Sequence, residues 1–450
     1  MAWKDSKPRV PLIMRGARQV GKSYLLKEFG RNEFDRYHHF DFEKSGKALI
    51  PLFQEGLSPD VLIKNLSLFA GVQIDVERDL VIFDEIQSCP EALTSLKYFC
   101  EDMPGLFLCA AGSLLGISLS SSSFPVGKVC YLDLYPMSFE EFLLNSSDNL
   151  LHEAFCESLT EGKASSLIHS KLWDKLKEYY VVGGMPGVVS KYFCYPGKQV
   201  EGMLQARHLQ QELLRDYQSD FSKHSGKVNA LHISAILENI PIQLASHMDG
   251  SVQRFRFKDV IPGKQGYAAL EGPIDWLLKA GLVYKVPVCQ KAQLPLKAFT
   301  KPNIFKLFLF DVGLLGCMLE LDPRTLVLQD YGLIKGFFAE NYVACELTAS
   351  GERQLYSWSE RNSEIEFIKD LDGQIVPIEV KAGTRTKAQS MRQYITKYAP
   401  PLAVMVSGKP LSLRNQKVLN YPLYDAGRLI ASLRRIRVSA KPADQAYTAG

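Results

Sequence analysis

At 450 residues the chain is long enough for about three domains, and a hydrophobic content of 46% supplies ordinary cores. A net charge of +4 excludes a reading driven by global charge, so nucleic acid is neither demanded nor forbidden as a partner. Nine cysteines without a C-x-x-C pair, no zinc-spaced His/Cys cluster, no apolar leader and no run of about 18 apolar residues predict a cytoplasmic protein with reduced thiols and no membrane span.

The first predicted element is a short strand, Pro11-Leu-Ile-Met14, and it runs into a sequence of the form G-x-x-x-x-G-K-[ST] followed by a helix-like run from Tyr24 to Phe29. Its residues are Gly16, Ala17, Arg18, Gln19, Val20, Gly21, Lys22, Ser23 and Tyr24. Glycines at those spacings let consecutive backbone N–H groups wrap phosphate oxygens, and the following helix presents its positive end to the same anion. Lys22 is expected to reach the β- and γ-phosphates of ATP, and the Ser23 hydroxyl to ligate Mg²⁺. Arg18 is open to a nucleotide contact or a surface role.

An alternating stretch, Tyr37-His-His-Phe-Asp-Phe-Glu43, predicts a second strand, and Ser58-Pro59-Asp60 starts a helix. The third strand, Leu80-Val-Ile-Phe-Asp-Glu85, has the form of a buried parallel strand whose carboxyl end carries chemistry. Asp84 is the second expected Mg²⁺ ligand, and Glu85 the base that orients and deprotonates the attacking water. A fourth buried strand ends at Ser113, which either senses the γ-phosphate or caps the next helix. If it senses phosphate, that strand lies between the third strand and the phosphate loop. The serine run 118–123 predicts a linker or mobile loop. A fifth strand spans residues 129–135, and Ser138 with Glu141 has capping-box spacing at the start of a helix. Strands alternating with helices imply a parallel sheet covered on both faces.

GARQVGKS, LVIFDEIQ, CAAGSLLG and LDLYPMSFEEFL, in this order, resemble a large family of bacterial and archaeal AAA-type P-loop ATPases. In that family a C-terminal region of unknown function with a restriction-endonuclease-like appearance follows the ATPase. The resemblance continues through Gly183-Gly-Met-Pro186, Phe310-Asp-Val-Gly-Leu314 and Pro377-Ile-Glu-Val-Lys-Ala-Gly383, nearly the whole chain. It departs at Gly127-Lys128, where the family usually has Gly-Arg; a phosphate contact there would keep its charge and lose its bidentate fork.

From about residue 151 the periodicity is helical, and Asp216 and Asp220 read as one solvated face. Runs at 231–244, 252–260 and 268–280, then 281–286 and 306–310, outline helices followed by a hairpin. The resemblance implies a winged helix here, for DNA or for a packing partner. Lys285, Lys291, Lys297, Lys301 and Lys306 make the hairpin basic enough for phosphate contacts.

The C-terminal region reads as a helix (335–349) containing Glu340, three strand-like runs, a helix near 387–397 and a strand, 402–407. This αβββαβ order resembles the PD-(D/E)XK nuclease core. Asp372-Gly373 is a strong hairpin signal, and with those two at the turn Glu366 falls opposite Glu379 and Glu364 opposite Lys381. Ile365, Phe367, Ile378 and Val380 make the other, buried face. Facing carboxylates repel and call for a cation, which Mg²⁺ held by Glu366, Glu379 and Glu340 would supply, with Lys381 stabilising charge at a scissile phosphate. The other reading is a solvent-facing hairpin with a Glu364–Lys381 surface pair. The family more often has aspartate where Glu366 stands.

The expected fold is therefore α/β: a P-loop ATPase domain (1–150), a helical and winged-helix-like region (151–325), a PD-(D/E)XK nuclease-like domain (326–427), and a basic helix with a disordered tail (428–450). The expected function is ATP hydrolysis with Mg²⁺, coupled to a domain that acts on DNA or RNA. The alternative is an ATP-dependent switch or scaffold whose C-terminal domain binds a partner, a homo-oligomer among the open assemblies.

Overall fold

The computed structural model describes residues 3–113, 127–161, 165–246, 254–324, 335–383, 388–414 and 417–439. The serine run 118–123, the start of the 252–260 run and the tail beyond 439 lie outside them. The chain forms two compact units, Met1–Tyr135 with Asp275–Leu282, and Pro136–Ile274 with Val283–Gly450.

The first unit is built on a five-stranded parallel sheet of β1 (Leu12–Arg15), β2 (Tyr37–Asp41), β3 (Leu80–Asp84), β4 (Phe107–Ala111) and β5 (Cys130–Asp133), in the order β2-β3-β4-β1-β5. The unbroken apolar run of β3 follows from burial on both faces. Leu80 and Ile82 pack with Leu12, Met14, Leu26 and Cys109, while Val81 and Phe83 pack with Ile13, Phe40, Phe53 and Phe99. Phe83 is met edge-on by Phe42, Phe53 and Phe99, and each such buried ring contributes about 1.5–3 kcal/mol by area alone. β4 separates β3 from β1, as a phosphate-sensing Ser113 requires. The carboxyl ends of β1 and β3 thus lie on one edge of the sheet, where the expected ATP-site residues gather.

Lys128 does not meet the condition for a phosphate contact. It precedes β5, and its ammonium pairs with Glu101 near the end of the helix Pro90–Asp102, 3.1 Å away. β5 runs parallel to β1 in register, so Lys128 stands at the sheet edge opposite the phosphate loop. It does not face the phosphate loop of its own chain.

The second unit opens with helices. Ser138 caps the helix Phe139–Asn145 through the expected reciprocal box, Ser138 N–H donating to Glu141 at 2.7 Å and Glu141 N–H donating to the Ser138 hydroxyl at 3.3 Å. The Gly183-Gly-Met-Pro and Phe310-Asp-Val-Gly-Leu segments, 127 residues apart in sequence, meet at one buried carboxylate. Asp311 accepts from Gly184 N–H (2.6 Å) and Leu314 N–H (2.8 Å). A methyl group on Gly183 would overlap that carboxylate, and one on Gly184 would overlap the Met137 carbonyl, so both positions need glycine. Burial pushes Asp311 up to about 6 against those hydrogen bonds. Asp216 is exposed and Asp220 buried, so the two do not share a solvated face as expected.

Residues 254–260 are not helical, which corrects the expected second helix of a winged-helix outline. The hairpin that would form its wing, β6 (Val283–Cys289) and β7 (Thr300–Leu309), belongs instead to a larger sheet. With β8 (Tyr356–Glu360), β9 (Ser363–Leu371), β10 (Gln374–Val380), β11 (Ala403–Ser407), β12 (Ser412–Arg414) and β13 (Val418–Pro422) it makes eight strands in the order β12-β13-β11-β10-β9-β8-β6-β7. The link is the parallel pair Val288–Ser357 and Cys289–Trp358. No described helix is long and apolar enough to cross a membrane.

Candidate functional site

The phosphate loop takes its shape from backbone requirements. Gly16 and Gly21 have φ of 153° and 95°, and Gln19 joins them in the left-handed region at 63°. A side chain on Gly16 would overlap the Leu134 carbonyl oxygen. Ala17 and Val20 are buried and anchor the loop; Gln19 and Tyr24 are exposed. The Lys22 ammonium lies inside the loop and donates to the carbonyls of Gly16 (3.0 Å) and Ala17 (2.8 Å). Burial pushes it down to about 8, although Glu85 and Asp84 pull the other way.

Ser23 and Asp84 come together through a side-chain hydrogen bond. Asp84 also contacts His39 Nε2 at 2.9 Å. Burial works against the Asp84 carboxylate, but the His39 and Ser23 hydrogen bonds outweigh it and hold its pKa below the usual range. Glu85 sits just past β3 with φ 49°, and one of its oxygens accepts from Gln87 Nε2 (2.6 Å) and from the Ser113 hydroxyl (3.4 Å). Ser113 is thereby placed against Glu85. Arg18 points to Glu43, 3.6 Å away. His39 and Gln87 escaped the sequence reading. His39 could have been found from the alternation of β2, whose in-register pairing with β3 sets Asp41 opposite Asp84.

The hairpin of β9 and β10 has the register read from Asp372-Gly373: Leu371 pairs with Gln374 and Phe367 with Ile378, which carries on to Glu366 beside Glu379. Ile365, Phe367, Ile378 and Val380 are buried, and so are Glu366 and Glu379. Both faces are covered. The solvent-facing alternative therefore fails, and so does its Glu364–Lys381 pair: Glu364 pairs with Lys306. Lys381 Nζ lies 2.9 Å from Glu379 and 3.6 Å from Glu366, so these two carboxylates flank one ammonium. Glu340, from the helix Lys335–Ala349, lies 3.6 Å from Lys306 Nζ and close enough to Glu366 and Lys381 to feel their charge.

Lys306 corrects another expectation. It is 2% exposed and offers nothing to an external phosphate. Burial disfavours its ammonium, but Glu364, Glu340 and Glu366 override that and raise its pKa; Lys381 is raised in the same way by Glu366 and Glu379. Glu340 and Glu379 are pushed up by burial and by Glu366.

The donors in this cluster are carboxylate oxygens, the type a hard divalent cation takes. Glu379 Oε2 is buried and has no hydrogen-bond partner among the described residues. Such an atom is costly unless something pairs with it. The carboxylates fit an ion held by Glu366 and Glu379 with water completing its shell. Among the described residues only Glu140, His152 and Cys156 bring three potential ligand atoms within 4.8 Å of one another. There a cation is already present: Arg428 donates to Glu140 (2.9 Å) and Cys156 (3.5 Å).

Arg428 borders a cleft of about 390 Å³ that Glu140, Glu141, Glu346 and Asp425 also line. Burial pushes Glu346 up to about 8, against the hydrogen bond it accepts from Phe139 N–H. The folded state therefore holds a proton that the unfolded chain, with an ordinary value of 4.5, releases. Its stabilising effect is complete below the ordinary value and is lost as pH rises toward 8. Glu346→Gln, which keeps the acceptor, is expected to be about 1 kcal/mol or more stabler than wild type at pH 8, with the gap closing toward pH 5 in thermal unfolding.

Three segments match known families. Residues 8–143 match the AAA domain family AAA_14. Residues 174–325 match a domain of unknown function, DUF8612, and residues 335–424 another, DUF4143. No curated protein matches the chain. Among solved structures it is similar to a chain from the structure of Drosophila ORC bound to DNA, with 16% identity and a TM-score of 0.26 over 69% of this chain and 90% of that one. The N-terminal segment thus matches an AAA domain, on a sheet whose phosphate loop, Asp84 and Glu85 share one edge.

Proposed function

We propose that this chain hydrolyses ATP and that hydrolysis controls a divalent-metal-dependent, nuclease-like centre in its C-terminal region, acting on nucleic acid. For the first step Lys22, Ser23 and the loop N–H groups of Gly16 to Gly21 hold the phosphates, and Ser23 with Asp84 would hold Mg²⁺. When bound, that ion offsets charge on the β- and γ-phosphates. Glu85 takes the proton of the attacking water. The observation that carries this step is the placement of Glu85, held by Gln87 and Ser113 beside the Ser23–Asp84 pair. A switch that only binds nucleotide has no use for such a base.

For the second step Glu366 and Glu379 would hold a divalent ion, whose contribution is to polarise a phosphate oxygen. Lys381 stabilises charge at the scissile phosphate, and Glu340 completes the acidic set. The supporting observation is the unpartnered Glu379 oxygen beside Lys381 in a buried strand pair. The restriction-endonuclease-like assignment rests on the αβββαβ order and on these residues, and the four-part division at 150, 325 and 427 is proposed on the same footing. The test is ATP turnover and nucleic-acid cleavage by the intact protein, compared with Glu85→Gln and Lys381→Ala.

One observation favours a second reading. Lys306 already neutralises part of the carboxylate cluster from within, as a binding scaffold without cleavage would need. In that reading ATP sets an assembly state, and the C-terminal domain holds a partner.

A further inference from the structure

Four carboxylates, Glu340, Glu364, Glu366 and Glu379, are gathered in one buried cluster with two ammonium groups, Lys306 and Lys381. The two lysines are placed differently. Lys381 follows β10 at the mouth of the hairpin and is partly exposed, with 30% of its side chain accessible. Lys306 comes from β7, at the far end of the sheet order, and is closed off. Its strand reaches β9 by packing, since Phe308, two residues along, lies 6.1 Å from Phe367. The lysine pairs with Glu364 and Glu340, whereas Lys381 pairs with Glu379 and Glu366.

We propose that Lys306 is a built-in counter-ion occupying, between Glu340 and Glu364, the place a second divalent cation would take, so that the centre accepts a single divalent ion at Glu366 and Glu379. This rests on the metal-binding reading of that centre. The charge count supports it: with all four carboxylates ionised, as ligation of a metal favours, four negative charges against two ammonium groups leave two, which one divalent ion balances. A second ion would leave the buried cluster with two excess positive charges, and burying uncompensated charge is costly. An ammonium also differs from a metal in what it does. Lys306 pairs by charge with Glu340 and Glu364, and an ammonium cannot ligate a water or a phosphate oxygen, so those two acids are neutralised in place and kept out of the coordination chemistry.

Counting bound Mn²⁺ by equilibrium dialysis tests this in the full-length, nucleotide-free protein, with Asp84→Asn as background to silence the phosphate-loop site. The expected result is one Mn²⁺ per chain, abolished by Glu379→Gln. Lys306→Met is expected to bind two, and Lys306→Met/Glu364→Gln, which restores the charge balance, to return to one. If Lys306→Met does not fold, Glu364→Gln decides: with the lysine retained and one acid removed, the affinity for the single Mn²⁺ should fall roughly tenfold. A folded Lys306→Met protein that still binds one ion, two ions in the starting protein, or unchanged affinity in Glu364→Gln would overturn the role of Lys306 alone. No Mn²⁺ bound in any variant would remove the metal-binding reading as well.

Discussion

Glu85→Gln is expected to lower ATP turnover by about 10²–10⁴-fold while leaving ATP binding within a few-fold of wild type. Glutamine keeps the shape of the side chain and its contacts with Gln87 and Ser113, so the phosphate loop and the Ser23–Asp84 pair stay in place. What it lacks is the capacity to take a proton from water. Steady-state phosphate release, paired with titration of a fluorescent ATP analogue, separates the two effects. Turnover at the wild-type rate would take Glu85 out of the base role. Loss of binding together with turnover would mean that the left-handed turn at Glu85 had collapsed instead.

The second large effect is expected at Lys381. Truncation to alanine removes the ammonium flanked by Glu379 and Glu366, and should reduce metal-dependent cleavage of nucleic acid by at least about 100-fold. Branched and linear DNA and an RNA of the same sequence are the substrates to compare, with Mg²⁺ and without. Because Glu366 and Glu379 then face each other in a buried place without their nearest counter-charge, the variant should also lose thermal stability, and added Mn²⁺ should restore part of it. Cleavage unaffected by Lys381→Ala would point to a contaminating nuclease or a different centre.

Several features of this molecule are written locally, and those are the ones a reader of the sequence can see. The spacing of Gly16, Gly21, Lys22 and Ser23 encodes a loop whose conformation is set largely by residues next to one another in sequence. The run from Leu80 to Phe83 announces a strand covered on both faces, and the two clusters on either side of β3 bear this out. Asp372-Gly373 sets the register of its hairpin because a two-residue turn leaves one pairing. Lys306 shows where such reasoning stops. Counted along the chain it is one of five lysines in a basic hairpin; its burial follows from β6 pairing with β8, a contact between residues about 70 apart that no local pattern records. The Asp311 junction is hidden for the same reason. Its two glycine-containing segments look like separate turns until the fold brings one carboxylate to both. Lys128 is a case in which sequence proximity to a strand does not say which end of the sheet a charge serves: it stands before β5, paired with Glu101.

The most direct test of coupling between the ATP site and the C-terminal centre is the ATP turnover of the intact protein, measured with no nucleic acid and with saturating linear DNA, branched DNA or RNA. Several-fold stimulation by at least one of them, absent in Glu85→Gln, is the expected result. Turnover that is clearly present yet unchanged by every nucleic acid would contradict it and favour the ATP-dependent scaffold.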